Sequence, residues 1–271
     1  GDTGIIASQA GLSANVTDTS KPLGRLHVHH AQINVGEVKV GDTVQLLVDV
    51  ERRSAIRANH SATHLVHAAL RNRLGEHVTQ KGSLVAEDRL RFDFSHPSAL
   101  TAEDIATIES EVNAEIRANE TVSTRLMSPE DAVEAGALAL FGEKYGDEVR
   151  VLSMGRAGPS GRNYSVELCG GTHVTNTAEI GLFKIVSESG ISSGVRRIEA
   201  VAGPAVLDYL NLRDQVVRDL SDRFKAKPEE ILPRVNALQE ELKATQKQLA
   251  GLQSELAIAK SDSLLDQAET V

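Results

Sequence analysis

The residues best suited to chemistry are four side chains that occur as two pairs with the same spacing. His60 and His64 lie four residues apart in a stretch with helical periodicity, so both imidazoles are expected on one helix face. Cys169 and His173 have this spacing across a Gly-Gly pair, and Cys169 is the only cysteine in 271 residues. Thiolate and imidazole are donors that suit tetrahedral Zn²⁺. The pattern predicts one zinc site.

Two alternatives to a catalytic zinc site stay open at the level of sequence. Core histidines and a space-filling thiol would give the same spacing, because each pair alone occurs by chance. Four protein ligands would make a closed structural site, whereas three ligands and a water would make a catalytic one. Ser61 stands where a zinc peptidase of the HExxH type needs its glutamate, which argues against that class.

The surroundings of the four ligands carry two further expectations. Gly170 and Gly171 are expected to supply the backbone angles that bring both loop ligands onto one ion. His67 continues the helix but is expected to lie nearly opposite the His60–His64 pair. The other five histidines lie on predicted strands or lack an evident partner: His27, His29, His30, His77 and His96.

The elements that must position these ligands form an α+β pattern. Residues 1–53 carry strand patterns with glycine-containing turns and are interpreted as a small β-barrel or sheet. Residues 54–75 have helical spacing that ends at Gly75, a typical C-cap. Residues 54–202 as a whole interleave strands with a few helices, which predicts an α+β core that contains the site.

Residues 203–271 are expected to be helical. From Pro228 onward a heptad pattern extends over four heptads, which predicts a helical hairpin or a coiled coil with a partner chain. Its two rows are Val235, Leu242, Leu249 and Leu256, and Leu238, Thr245, Leu252 and Ala259. Such a segment would serve assembly, including a possible homodimer, and carry no chemistry.

Composition narrows the classes of function further. The chain is 41% hydrophobic and 25% charged, which is normal for a globular protein, and its net charge of −9 argues against bulk coating of nucleic acid. No apolar run approaches the roughly 20 residues that span a membrane. A single cysteine fits a reducing compartment. We therefore expect a cytoplasmic protein without membrane contact.

Five motifs in a fixed order closely resemble the editing domain of bacterial alanyl-tRNA synthetases. They are NHSATHLVHAALR, VTQKGSLV, RLRFDFSH, SVELCGGTHV and ISSGVRRIEAV. The resemblance implies a core of the second-domain type shared by threonyl- and alanyl-tRNA synthetases, preceded by a small barrel and followed by the start of a coiled coil. It extends over nearly the whole chain.

The resemblance also implies a function and roles for single residues. The family's editing domain hydrolyses the ester of serine or glycine wrongly attached to alanine tRNA. Its zinc ligands correspond to His60, His64, Cys169 and His173. Thr63 and Gln80 match positions tied to recognition and hydrolysis, so we take them, with Cys169, as the candidate catalytic residues.

Basic residues gain a role that the sequence alone would not give them. Without the resemblance, each basic cluster is read as solvated surface. With it, five of them are expected to contact phosphates of the single-stranded CCA end of the tRNA: Lys81, Arg91, Arg162, Arg196 and Arg197. Arg91 and Arg197 could equally pair with internal carboxylates.

The resemblance leaves the extent of the activity open. The chain lacks the family's aminoacylation domain, and we expect a piece of a synthetase that works with the acceptor end of alanine tRNA and the rest of the enzyme. A free-standing editing protein is a close alternative. A non-catalytic tRNA-binding and dimerisation module with a structural zinc is an alternative of a different class.

Overall fold

The computed structural model describes residues 1–24, 26–138, 147–159 and 161–266. Contacts between residues divide the chain into two units, Gly1–Asp208 and Tyr209–Val271. The first unit contains both the N-terminal strands and the residues predicted to form the editing core. The predicted boundaries after residues 53 and 202 stay predictions.

The N-terminal strands form a four-stranded antiparallel sheet in the order β3-β2-β1-β4. The strands are β1 Gly4–Ala7, β2 Ser13–Leu23, β3 Leu26–Val35 and β4 Gln45–Val48. Strand β3 contains His27, His29 and His30, which the sequence predicted to lie on a strand. Nδ1 of His29 contacts the hydroxyl of Thr19. The pairing gives an open sheet, so closure into a barrel stays a prediction.

Helix α1, Val50–Leu74, carries the first pair of candidate ligands. The Asp49 side chain accepts a hydrogen bond from the backbone N–H of Arg52, which caps the helix and starts it four residues before the predicted residue 54. Gly75 is the C-cap, as predicted. Residues 61–70 are buried without interruption, so this part of the helix lies inside the unit.

A second antiparallel sheet has the order β10-β11-β6-β5 and packs against α1. Its strands are β5 Gln80–Val85, β6 Leu90–Ser95, β10 Phe183–Ser192 and β11 Val195–Ala202. Helix α2, Ala102–Arg117, packs beside α1. Phe92, Phe94 and Leu65 are fully buried where these elements meet, and they form the centre of the main core.

A third sheet, in the order β7-β8-β9, leads into the second pair of candidate ligands. It is built from β7 Ser123–Met127, β8 Val149–Ala157 and β9 Asn163–Leu168, with the short helix α3 Pro129–Glu134 after β7. Cys169 follows β9 directly, and a 3₁₀ turn, Thr177–Ile180, comes before β10. The mixture of helices with antiparallel sheets confirms the expected α and β content.

The last two helices are α4, Pro204–Phe224, and α5, Pro228–Asp266. The helix α5 begins at Pro228, where the heptad pattern was predicted to start. Leucines of that pattern are exposed on the single chain, including Leu238, Leu242 and Leu249. A coiled coil or dimer stays a prediction. Among the described residues, no helix combines the length and apolar character needed to cross a membrane.

Candidate metal centre and its cavity

The fold brings the two predicted pairs of ligands together. One donor atom from each of His60, His64, Cys169 and His173 lies within 4.8 Å of the others. The Cys169 sulfur is 3.5 Å from Nε2 of His60 and 3.2 Å from Nε2 of His173. Helix α1 supplies two rings on one face, and the loop after β9 supplies the thiol and the third ring.

The donor set fits a metal ion. Nε2 of His64 is buried and has no hydrogen-bond partner among the described residues. Three imidazoles and one thiol converge from a helix and a loop, which is the composition of a Cys-His₃ tetrahedral site. Of the described residues, this is the one group of histidine, cysteine and acidic side chains close enough together to hold an ion.

The surroundings of Cys169 lower the pKa of its thiol and so favour the thiolate, the form that binds a metal. Burial alone would raise the pKa of the Cys169 thiol, but hydrogen bonds from His173 and His60 lower it to about 3. Burial lowers the pKa of His173 to about 4. Burial opposes charge on His64 as well, yet the Glu167 carboxylate and the Cys169 sulfur raise its pKa to about 10. A thiolate and a neutral His173 are the protonation states in which these side chains bind a metal.

Two arginines hold the ligand loop by its backbone. Nε of Arg57, on α1, donates to the carbonyl of His173 at 2.6 Å. Arg150, on β8, donates to the carbonyl of Cys169 at 3.2 Å and to that of Gly171. Such contacts join residues far apart in sequence and have no local sequence signal, so sequence analysis missed both arginines.

Ser61 ties the loop to α1 at a third point. Its hydroxyl lies 3.2 Å from Nδ1 of His173 and accepts a hydrogen bond from the backbone N–H of Val174 at 3.2 Å. Ser61 is fully buried. The residue that argues against the peptidase motif therefore holds the ring of a candidate metal ligand.

The two loop glycines differ from the expectation. Neither Gly170 nor Gly171 has a positive φ, so neither is needed for a left-handed backbone. A Cβ atom on Gly171 would lie 2.3 Å from Cε1 of His60, whereas one on Gly170 would meet nothing within 4 Å. A side chain at position 171 would therefore displace the His60 ring or the loop, because the ring lies against the backbone there.

The Glu167 carboxylate joins the candidate ligand His64 to His67. Nδ1 of His64 lies 2.8 Å from Oε2 of Glu167, and Nδ1 of His67 lies 3.0 Å from Oε1. The expectation that His67 points away from the ligand pair was wrong. It follows His60 by seven residues, which is nearly two helical turns and returns to the same face. Spacing alone could have shown this.

A cavity of about 910 Å³ opens beside the metal-ligand group. Thr63, Gln80 and Lys81 line it together with Cys169, so three residues singled out by the resemblance face the same cavity as a candidate ligand. The Thr63 hydroxyl donates to the backbone carbonyl of Asn59 at 2.9 Å. Its proton is therefore in use, and its oxygen keeps only acceptor capacity for a ligand.

Three of the predicted phosphate-binding arginines are paired with carboxylates. Arg196 makes two hydrogen bonds to Glu188, at 2.5 and 2.7 Å. Arg197 makes two to Asp93, at 2.7 and 2.8 Å, and Arg91 lies 3.7 Å from the same carboxylate. The Arg197 hydrogen bonds lower the pKa of Asp93. The Arg196 and Arg197 pairs join neighbouring strands of one sheet, whereas Arg91 and Asp93 share strand β6. Contact of the three arginines with tRNA stays a prediction.

Arg162 lies at a second cavity of about 180 Å³, which it lines with Tyr164. This cavity shares Arg71 and Glu167 with the larger one. A role of Arg162 toward a substrate stays a prediction. His77 and His96, which lacked a partner in the sequence, contact each other through Nε2 and Nδ1 at 2.9 Å.

Comparison with known proteins agrees with the motifs. The family described as "Threonyl and Alanyl tRNA synthetase second additional domain" matches residues 149–199, which include β9 and the ligand loop. An alanine–tRNA ligase of Sphingopyxis alaskensis is 64% identical over 261 residues, covering 96% of this chain and 29% of that enzyme.

Two further alanine–tRNA ligases show the same relationship. An alanine–tRNA ligase of Synechococcus elongatus is 55% identical over 99% of this chain, and one of Nostoc punctiforme is 53% identical over all of it. The chain spans 29–30% of the length of these curated relatives. The high identity along the whole chain, together with the matched domain, shows that this chain belongs to the alanyl-tRNA synthetase family.

Proposed function

We propose that the large cavity is an active site, in which the ester bond of serine or glycine wrongly attached to alanine tRNA is hydrolysed. The observation that carries the proposal is that one cavity is lined both by members of the metal-ligand group and by polar side chains singled out by the resemblance. The first are His60, His64 and Cys169, and the second are Thr63, Gln80 and Lys81. Its volume of about 910 Å³ falls within the range of roughly 300–1,000 Å³ typical of small-molecule sites. That space suits a terminal adenosine with its amino acid.

We propose zinc as the ion held by His60, His64, Cys169 and His173. When bound, it would supply a Lewis acid that polarises a carbonyl or water, or would hold the amino group of the substrate. In this arrangement Cys169 acts as a thiolate ligand, and its further role as a catalytic residue stays a prediction.

The remaining polar groups of the cavity would act on the ester and its amino acid. Thr63 offers an acceptor oxygen, so it is suited to receive the hydroxyl proton of a seryl group. The amide of Gln80 can donate to the ester carbonyl or orient a water beside it. Lys81 follows at the cavity wall and is suited to a phosphate of the CCA end.

The selectivity problem of the family explains why such a site is useful. A site that accepts alanine cannot strongly exclude glycine or serine, because one methyl or hydroxyl changes binding by only about 1–3 kcal/mol. An aminoacyl ester is already activated, so a site that orients water and stabilises the oxyanion is sufficient to remove the error.

The proposal includes partners. The acceptor end of alanine tRNA would bind at the cavity, and the rest of a synthetase would deliver it. The exposed leucines of α5 would mediate a homodimer or contact with another helix. We propose the cytoplasm as the place of action, in line with a single cysteine that is free.

A non-catalytic tRNA-binding module with a structural zinc is the second candidate function. It is favoured by the presence of four protein donors within 4.8 Å, because a fully protein-ligated zinc has no open position. In that case the ion would fix the ligand loop against α1, and the cavity beside it would bind the tRNA end without hydrolysis.

Hydrolysis of charged alanine tRNA distinguishes the two functions. Seryl-, glycyl- and alanyl-tRNA for alanine are incubated with the zinc-loaded chain, with chelated protein as a matched control. We expect rapid loss of seryl and glycyl esters, slow loss of the alanyl ester, and no hydrolysis after chelation. Binding of the tRNA without hydrolysis, in protein that retains zinc, would favour the structural alternative.

A further inference from the structure

We infer that Glu167 and His67 are a positioning pair that fixes the ring orientation and protonated nitrogen of the metal ligand His64. The inference deepens the proposed function, because it concerns the same site and rests on the proposed metal. It assigns a role to two residues that neither the ligand spacing nor the matched motifs had given one.

The hydrogen bonds determine which nitrogen of His64 faces the ligand group. A carboxylate can only accept, so Nδ1 of His64 donates to Oε2 of Glu167 across 2.8 Å. When the ring is neutral, as metal binding requires, its lone pair is therefore on Nε2, which is buried and has no partner among the described residues. The carboxylate thus selects the tautomer that presents Nε2 to a metal.

Glu167 is itself held from a second side. Its other oxygen, Oε1, accepts from Nδ1 of His67 across 3.0 Å, and the Ser165 hydroxyl lies 3.4 Å from it. His67 is one helical turn beyond His64 on α1, so a single carboxylate joins two rings of one helix. The His67 ring packs against Phe92, with the ring centroids 5.1 Å apart.

Because these three side chains are buried, loss of either hydrogen bond should have a large effect. Glu167, His64 and His67 are 7%, 7% and 5% exposed, so water can replace little of a lost hydrogen bond. Carboxylates that receive the second N–H of a metal-bound histidine typically contribute about 10- to 100-fold to metal affinity or activity. We therefore expect the pair to act on metal affinity first and on hydrolysis as a consequence.

The first test is Glu167→Gln, which keeps the size of the side chain. An amide accepts at one end and donates at the other, so it cannot receive both Nδ1 protons. We expect zinc affinity, measured by competition with a chromophoric chelator, to fall about 10- to 100-fold. Glu130→Gln, on the exposed side of α3, is the matched control and should bind zinc as the parent does.

The second test separates the two nitrogens of His67. The amide nitrogen of asparagine takes the place of Nδ1, so His67→Asn keeps a donor to Glu167. The amide nitrogen of glutamine takes the place of Nε2, so His67→Gln loses that donor. We expect zinc affinity close to that of the parent for His67→Asn and about tenfold weaker for His67→Gln.

Loading the site with Co²⁺ adds a spectrum that reports on the arrangement of the ligands, which a general loss of stability would not change. We expect the visible d–d bands of Co²⁺ to shift in Glu167→Gln and to match the parent in His67→Asn. Parent-like zinc affinity and spectra in Glu167→Gln, or equal affinity of the two His67 variants, would overturn the inference. If Glu167→Gln fails to fold, as judged by circular dichroism, the two His67 variants decide the matter.

These measurements can fail independently of the proposed function. If the parent hydrolyses no mischarged tRNA but Glu167→Gln weakens zinc binding, the editing function is wrong and the positioning role stands. If the parent edits and zinc affinity is insensitive to Glu167 and His67, the positioning role is wrong and the editing function stands.

Discussion

The two sides of the metal-ligand group are built in different ways. His60 and His64 project from the middle of a 25-residue helix, where backbone hydrogen bonds and a buried surface set the two rings relative to each other. Cys169 and His173 lie in a loop outside regular secondary structure. Side chains from other elements hold that loop, above all Arg57 on α1 and Arg150 on β8.

The difference shows that one site can combine ligands fixed by their own helix with ligands whose loop is held by side chains of other elements. On the helix, a change of one side chain leaves the position of the next ligand unchanged, because the backbone carries it. In the loop, the positions of the thiol and ring depend on contacts with distant residues. The loop should therefore be the more sensitive side, and the following predictions test this difference.

Apart from loss of a ligand itself, the largest effect is expected where the two sides touch. In Gly171→Ala the new Cβ would lie 2.3 Å from Cε1 of His60, so the loop or the ring must shift. Overpacking of this kind costs about 1–3 kcal/mol, which corresponds to a loss of zinc affinity of about 5- to 150-fold. Gly170→Ala is the matched control, since a Cβ there meets nothing within 4 Å. Equal zinc affinity of the two variants would refute the close packing.

An intermediate effect is expected from the loop anchor Arg150. Arg150→Gln removes the charged donor that contacts the carbonyls of Cys169 and Gly171. Such hydrogen bonds contribute about 1.5–3 kcal/mol, and water recovers part of this, so zinc affinity should fall about tenfold. Arg125→Gln on the neighbouring strand β7 serves as control. If chelator competition gives Arg150→Gln and Arg125→Gln the zinc affinity of the parent, the loop keeps its conformation without the Arg150 contacts.

The sequence predicted the ligands better than it predicted what holds them. The helical repeat and the CxxxH spacing were sufficient to select His60, His64, Cys169 and His173, because both are local patterns. The same repeat puts His67 on the ligand face, because seven residues are nearly two helical turns, so the predicted opposite position was wrong. Glu167 stood in a recognised motif without a role, since only the fold shows which rings its carboxylate meets.

Two other features were beyond local patterns. The carbonyl contacts of Arg57 and Arg150 depend on how α1, β8 and the loop pack in space. The pairing of Arg196 and Arg197 with carboxylates on adjacent strands depends on sheet register, which the sequence does not show. The helices α1 and α5 were predictable because their start, end or repeat is marked by capping residues, proline or heptads.

A smaller and more selective effect is expected on the helix side from Thr63→Val. The change keeps the β-branched shape and removes the hydroxyl oxygen that we propose accepts from a seryl group. A neutral hydrogen bond contributes about 0.5–1.5 kcal/mol, so seryl-tRNA hydrolysis should fall about 2- to 13-fold. Glycyl-tRNA hydrolysis and zinc affinity should be unchanged, and Thr63→Ser should restore the parent behaviour. An equal loss for both esters would assign Thr63 a role in catalysis in place of recognition.

The smallest effect is expected from removal of residues 228–271. The ligands and the cavity all lie within residues 1–208, so the site should keep its metal and its intrinsic hydrolysis to within about twofold. The far-ultraviolet circular dichroism of the shortened chain reports on folding. Loss of zinc or of the folded signal would show that α5 contributes to the core that supports both sides of the site.

The most direct test of the metal site is the zinc content of the purified chain and of Cys169→Ala, determined by mass spectrometry after dialysis against trace zinc. We expect one zinc per parent chain, none retained by the variant, and loss of seryl-tRNA hydrolysis in step with the metal. Equal zinc content in both proteins, or full hydrolysis by the metal-free variant, would contradict a metal site built from these two sides.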